Sequence, residues 1–356
     1  MAVLKKLNFK KNKKKILIII SIVIVLIIAG CIAVNYQFIT KDTSKKESNK
    51  NEVPELNTPK ELQIVNSLST SRPFAIMINN ASDARKVQSG LQDAFIIYEI
   101  IVEGGITRYL ALFMDQETAR IGSIRSARHY FLDYALENDA IYVHHGQSPQ
   151  AKNDFSNLGI DRIEVNEKTT GWRDKTLNVS YEHTLFTSIE KLENGIKSIR
   201  TDRNQDLLLN YSVEEIDMAK IDNAQEANNV SIKYSGGTTS SYEYDKENKV
   251  YKRYVNGKEH KDYETNEQYT FKNIITYQVN NYTLNDGENK GRQELENIGS
   301  GSGYYISNGY SIPIKWEKKS RSSQTKYYYE NGDELKVNDG NTFIQIQPKG
   351  QKLTIS

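Results

Sequence analysis

Residues 96–113 read Ile-Ile-Tyr-Glu-Ile-Ile-Val-Glu-Gly-Gly-Ile-Thr-Arg-Tyr-Leu-Ala-Leu-Phe, two apolar, β-rich runs around a glycine pair. The pattern predicts a hairpin with strands over Ile96–Val102 and Tyr109–Phe113 and its turn at Gly104-Gly105. If the glycines form a two-residue turn, Glu103 faces Ile106 and Ile101 faces Arg108. Strand alternation then puts Glu99, Glu103 and Arg108 on one face.

Upstream, Phe74–Ile78 reads as a buried strand that begins the folded body after Arg72-Pro73. Downstream, Ala127, Tyr130, Phe131, Tyr134 and Ala135 recur at helical spacing and predict a helix over Ser126–Glu137. Ala140–Val143 is a strand, and Ser148-Pro149 opens a helix with serine as N-cap and proline at the first position. Thr187-Ser188-Ile189-Glu190 forms a capping box before a helix whose apolar face is Ile189, Leu192, Ile196 and Ile199.

From Val230 onward the composition changes. Fifteen of the 23 tyrosines lie here, and no helical period is visible. Asn256-Gly257, Asn308-Gly309 and Asn331-Gly332 signal tight hairpins, Gly299–Gly303 a loop or bulge, and Phe343–Ile346 a closing strand. The fold class expected is therefore α+β. A mixed α/β domain over 72–205 and a linker over 206–228 precede a smaller, mostly antiparallel β domain over 229–356.

The first 34 residues read as an address. Seven lysines precede an apolar run from Ile16 to Val34, which is a signal peptide or a membrane anchor. At about 1.5 Å per residue the run just spans a hydrocarbon core of roughly 30 Å. The chain's one cysteine, Cys31, ends the tetrad Ile28-Ala29-Gly30-Cys31, which resembles a bacterial lipobox and marks Cys31 for lipidation. The apolar residues after Cys31 keep a retained transmembrane helix open as the alternative. Either way the lysines hold the N-terminus inside and the body faces outward. Residues 35–71, rich in Lys, Ser, Asn, Asp and Glu, are expected to be a disordered tether.

Charge narrows the function. The 47 basic and 45 acidic residues almost balance, but without the N-terminal lysines the body carries 40 against 45, a net charge of −5. A body with no basic excess lacks the electrostatic footprint of a nucleic-acid binder.

Three groups could carry chemistry. Glu99, Glu103 and Arg108 could form a carboxylate–guanidinium site or a structural ion-pair cluster. Arg125 and Arg128, in Gly122-Ser123-Ile124-Arg125-Ser126-Ala127-Arg128, sit at a helix start, where the macrodipole disfavours cations unless an anion compensates. That anion is external, with Ser126 and Ser148 nearby, or it is an internal carboxylate. His144 and His183 complete the candidates, His144 at a strand end where ligands of α/β folds often bind. No metal-ligand spacing, P-loop, dinucleotide fingerprint or nucleophile elbow is present, so neither metal nor cofactor is expected.

Several ordered strings resemble one family. Arg72–Asn80, Gln88–Ala94, Tyr98-Glu99, Glu103–Arg108 and Gly122–Arg128 look like the N-terminal half of YerB-type lipoproteins. Gly309–Trp316 and Gly340–Ile344 resemble the C-terminal half. The chain departs at Ser123-Ile124, where the family pattern runs Pro-Val. The resemblance implies a membrane-tethered envelope protein of Gram-positive bacteria in two parts, with no established reaction.

The combined reading is an extracytoplasmic protein on the outer face of the cell membrane. It would bind a cell-wall glycan or an envelope protein through Arg108, Arg125, Ser126, Arg128 and Ser148. The alternative is an envelope hydrolase or transferase using Glu99 or Glu103 with His144 or His183 as an acid–base pair.

Overall fold

The computed structural model describes residues 60–356; the anchor segment with Cys31, and the tether up to residue 59, lie outside the described residues. The runs quoted above form strands Ile96–Ile101 and Thr107–Phe113, which with Phe74–Asn79 are buried at every position. Near-continuous apolar sequence is what a strand covered on both faces needs.

These strands lie within a twelve-stranded sheet. Its main path runs 225–226, 310–318, 299–307, 273–283, 342–348, 96–101, 107–113, 74–79, 141–144, 162–164. The strand Thr342–Pro348, expected to close the second domain, lies in the middle of the sheet. It runs parallel to both Ile96–Ile101 and Asn273–Thr283. The two halves therefore share one sheet, and Lys60–Ser356 is one compact unit. Helices are few, so the α/β character expected of 72–205 is weaker than the pattern suggested.

Each face of the shared strands is covered differently. A six-stranded antiparallel sheet, built from 229–271 and 353–355, packs on one face. Phe343 meets Phe271 edge-on at 4.8 Å and Tyr242 at 6.1 Å. The helix His129–Glu137 lies on the other, where Tyr98 Oη donates to Glu137 at 2.6 Å. Tyr98 and Glu99, adjacent in one strand, thus reach opposite layers.

Each layer holds a buried ion pair between the halves. Arg253 Nη2 lies 2.8 Å from Glu99, and Lys318 Nζ 2.7 Å from Glu137.

Several boundaries differ from expectation. The hairpin turn is a five-residue loop in which Val102 N donates to Ile106 O, and Ile101 pairs with Thr107 and Ile100 with Arg108. That register is one residue away from the two-residue turn, and one residue reverses a side chain's face. Glu99 therefore faces the second sheet, and Arg108 faces the helix layer. Residues 206–228 are built into the body: Tyr211 pairs with Val337, Gln225 with Ser311, and Met218 is buried. Residues 60–71 also dock, with Val65 in the core and Asp339 accepting from the Gln63 and Ile64 amides.

Gly299–Gly303 is strand, not loop. A Cβ on Gly303 would fall 2.4 Å from Thr276 O, and one on Gly301 2.8 Å from the Trp316 indole nitrogen, so close packing explains these glycines. The helix expected from Ser126 starts at His129, with Arg128 as its N-cap, and the helix after Ser188 ends at Glu193.

Arg253→Ala should leave the Glu99 charge buried without its partner and destabilise the body by about 3–5 kcal/mol. Adding Glu99→Gln should recover part of that loss. Denaturant unfolding of both variants checks this, and a loss below about 1 kcal/mol in the single variant would refute it.

Candidate functional site

Arg108, Arg125 and Arg128 come together through the backbone around them. Residues 124–127 run between a strand end and a loop: Arg125 N donates to Met77 O, and Ala127 N to Gly146 O. Arg108 projects from the neighbouring strand, and its Nη1 donates to Ser126 O at 2.6 Å. The role of Ser126 is thus carried by its carbonyl.

Glu103, at the hairpin loop, takes Arg128 in a two-point contact, with Nη2 at 2.9 Å, and lies 3.5 Å from Arg108 Nη2. Such fork-to-carboxylate geometry is strong and directional. Burial would raise the Glu103 pKa, but the hydrogen bond and charge of Arg128, with Arg108 behind it, hold it below the ordinary carboxylate range. Burial, then the charges of Arg128 and Arg125, pushes the Arg108 guanidinium pKa down.

Arg125 has a separate partner that the sequence reading missed. Glu182 Oε2 sits 2.6 Å from its Nη2, and this pair is the more exposed one. Burial works against the Glu182 anion, yet the Arg125 hydrogen bond and charge keep its pKa low. His183 follows Glu182 in a short 3₁₀ turn; its Nδ1 takes the Asn79 amide at 2.8 Å, and its Nε2 is 3.6 Å from Glu182. Burial lowers its pKa, so it is neutral at pH 7. Three guanidinium groups therefore face two carboxylates. The Nε atoms of Arg108 and Arg125 have no hydrogen-bond partner among the described residues.

The remaining candidates stand apart. Glu99 is fully buried in the other layer and accepts from Thr107, Ser240 and Arg253, so it belongs to a core network. His144 is buried between Gly146 O and Arg162 Nη1, at 2.9 and 3.1 Å. Ser148 caps the helix Pro149–Asn157, its Oγ accepting from Ala151 N at 3.2 Å. Among the described residues no group of three or more His, Cys, Asp or Glu is placed to hold a metal ion.

His144 makes stability depend on pH. Burial lowers its pKa from 6.5 to about 4. Between those values the unfolded chain binds a proton that the folded chain refuses. Its contribution is complete above about pH 6.5 and is lost as pH falls towards 4. His144→Gln should flatten this part of the stability–pH curve, measured by denaturant midpoints. An unchanged slope would contradict the assignment.

Comparison with known proteins follows the same two parts. Residues 61–202 match the family profile described as "Protein of unknown function (DUF3048) N-terminal domain", and residues 230–344 match the corresponding C-terminal domain. A Bacillus subtilis (strain 168) protein named "Putative lipoprotein YerB" is 29% identical over 304 residues, covering 83% of this chain and 87% of the relative. The crystal structure of YerB protein from Bacillus subtilis aligns with a TM-score of 0.68 at 27% identity, covering 80% of this chain and 94% of that one. With both domains matched in order and the fold shared, the chain belongs to the DUF3048 family.

Proposed function

We propose that the protein is a lipid-anchored lipoprotein on the outer face of the cell membrane. It binds an anionic group of an envelope ligand at the Arg108, Arg125 and Arg128 cluster. The observation that carries the binding reading is the surplus guanidinium. Arg128 and Arg108 converge on Glu103, while Arg125 rests on the half-exposed Glu182, a carboxylate that a ligand anion can displace. The anchor reading rests on Cys31 in its lipobox-like setting, and the name of the Bacillus subtilis relative supports it.

The hydrolase or transferase reading has less support. Glu103 is held ionised by two arginines, so it has no proton to donate at neutral pH. Glu99 is locked to Arg253, and His144 has both ring nitrogens engaged. An acid–base pair needs a group whose pKa lies near the working pH.

Thermal melts of the full-length chain in detergent micelles test the site. Sulfate or phosphate should raise the melting temperature of the wild type; saturation at a hundred times Kd stabilises by about 2.7 kcal/mol. Arg125→Ala should abolish the response, and Glu182→Gln should strengthen it by removing the competing carboxylate. An equal response in Arg125→Ala would sink the proposal. For the anchor, Cys31→Ala should lose acyl labelling and accumulate as uncleaved precursor. Identical migration of mutant and wild type, with no label in either, would replace the lipid anchor by a spanning helix.

A further inference from the structure

A second place in the fold has the properties of a ligand site, and both halves of the chain build it. The short helix Ser82–Arg85 faces the strands and loop of residues 253–266 across a cleft of about 770 Å³. That volume lies within the roughly 300–1,000 Å³ typical of small-molecule sites. Its wall is fixed rather than loose. Tyr263 N donates to Gln88 O at 2.8 Å, Asp262 accepts from Gly90 N at 2.7 Å and from Tyr269 Oη at 2.9 Å, and His260 lies between Arg253 and Gln88.

The charges around the cleft do not cancel. Lys86 is paired with Asp83 at 2.6 Å and Lys261 with Glu259 at 2.8 Å. Asp262 is occupied by backbone N–H groups and a tyrosine hydroxyl. Arg85 uses Nη1 to reach Asn80 O at 2.5 Å, which steadies the guanidinium. Among the described residues no carboxylate lies within ion-pair distance of Arg85 or Lys258, and His260 is kept neutral by burial and by Arg253. The lining therefore presents two cations, Arg85 and Lys258, with no ion-pair partner among the described residues.

The rest of the lining says what accompanies the anion. Tyr263 is 47% exposed on the cleft wall, with the Arg120 guanidinium 5.6 Å from its ring centre. The Ser82 hydroxyl and the Asn266 amide, also in the lining, make no side-chain hydrogen bond with the described residues. An aromatic face, free hydroxyl and amide groups, and two unanswered cations match one chemical class. A sugar ring lays its C–H face on the tyrosine and its hydroxyls on the polar groups, while an attached phosphate or carboxylate meets the cations.

We propose that the cleft between the Ser82–Arg85 helix and residues 253–266 binds an acidic saccharide, with Arg85 and Lys258 holding its anionic group and Tyr263 stacking on its ring. This site is separate from the Arg108, Arg125 and Arg128 cluster and does not rest on it.

Isothermal titration of the full-length chain in detergent micelles tests this with four probes: glucose 1-phosphate, glucuronate, glucose and inorganic phosphate. Glucose 1-phosphate or glucuronate, or both, should bind at least about tenfold more tightly than glucose or inorganic phosphate; which of the two binds separates a phosphate-bearing source from a carboxylate-bearing one. Arg85→Ala and Lys258→Ala should each weaken that binding about tenfold. Tyr263→Ala should weaken it while leaving any residual phosphate binding unchanged. Lys258 and Tyr263 are exposed, so those variants keep the proposal testable if Arg85→Ala fails to fold. Three results overturn it: no binding of either acidic sugar, acidic-sugar affinity unchanged in Lys258→Ala, or inorganic phosphate binding as tightly as the sugar phosphate.

Discussion

The Glu99 carboxylate and the Arg253 guanidinium meet 2.8 Å apart with neither side chain exposed, and they come from positions 154 residues apart. Removing both charges from water costs several kcal/mol per ion, and attraction offsets this only when the remaining donors and acceptors are satisfied. Here they are. Thr107 and Ser240 donate to Glu99, and Arg253 also reaches the Tyr109 and Tyr242 hydroxyls and His260 while its guanidinium lies 4.2 Å from the Phe343 ring centre. A network satisfied only when both halves are in place makes each half depend on the other.

The inserted strand Thr342–Pro348 has the same consequence for the backbone. Without it, Ile96–Ile101 would be an edge with unpaired N–H and C=O groups. The Lys318–Glu137 pair repeats the arrangement in the helix layer. Family domain matches end at residue 202 and resume at 230, yet the hydrogen bonding runs across that interval.

The register of one hairpin separates structure from site. With Ile101 opposite Thr107, Glu99 is buried beneath the second sheet, and Arg108 is delivered to the opposite face beside Glu103 and Arg128. The carboxylate with the most complete set of partners is thereby removed from the cluster. The one at the loop stays, outnumbered by guanidinium groups, and Arg125 turns to the half-exposed Glu182.

Much of this was legible in the sequence. Apolar runs placed strands over 74–78, 96–102 and 109–113, within two residues of those observed, Ser148 and Pro149 placed a helix start, and Asn256-Gly257 and Asn308-Gly309 placed turns, because these signals act over a few residues. Local strings also picked out Glu103, Arg108 and Arg128, which meet, and Arg125, which pairs instead with Glu182. What the sequence could not supply was partnership at long range. Nothing local links Glu99 to Arg253, Arg125 to Glu182, or the strand at 342–348 to the one at 96–101. A one-residue difference in strand register, invisible in Gly104-Gly105, decided which face each side chain took. Sequence alone determined which segments would be strands and which residues carried charge; tertiary structure decided which charges met, because pairing depends on register and strand order, and these are set by packing between distant segments.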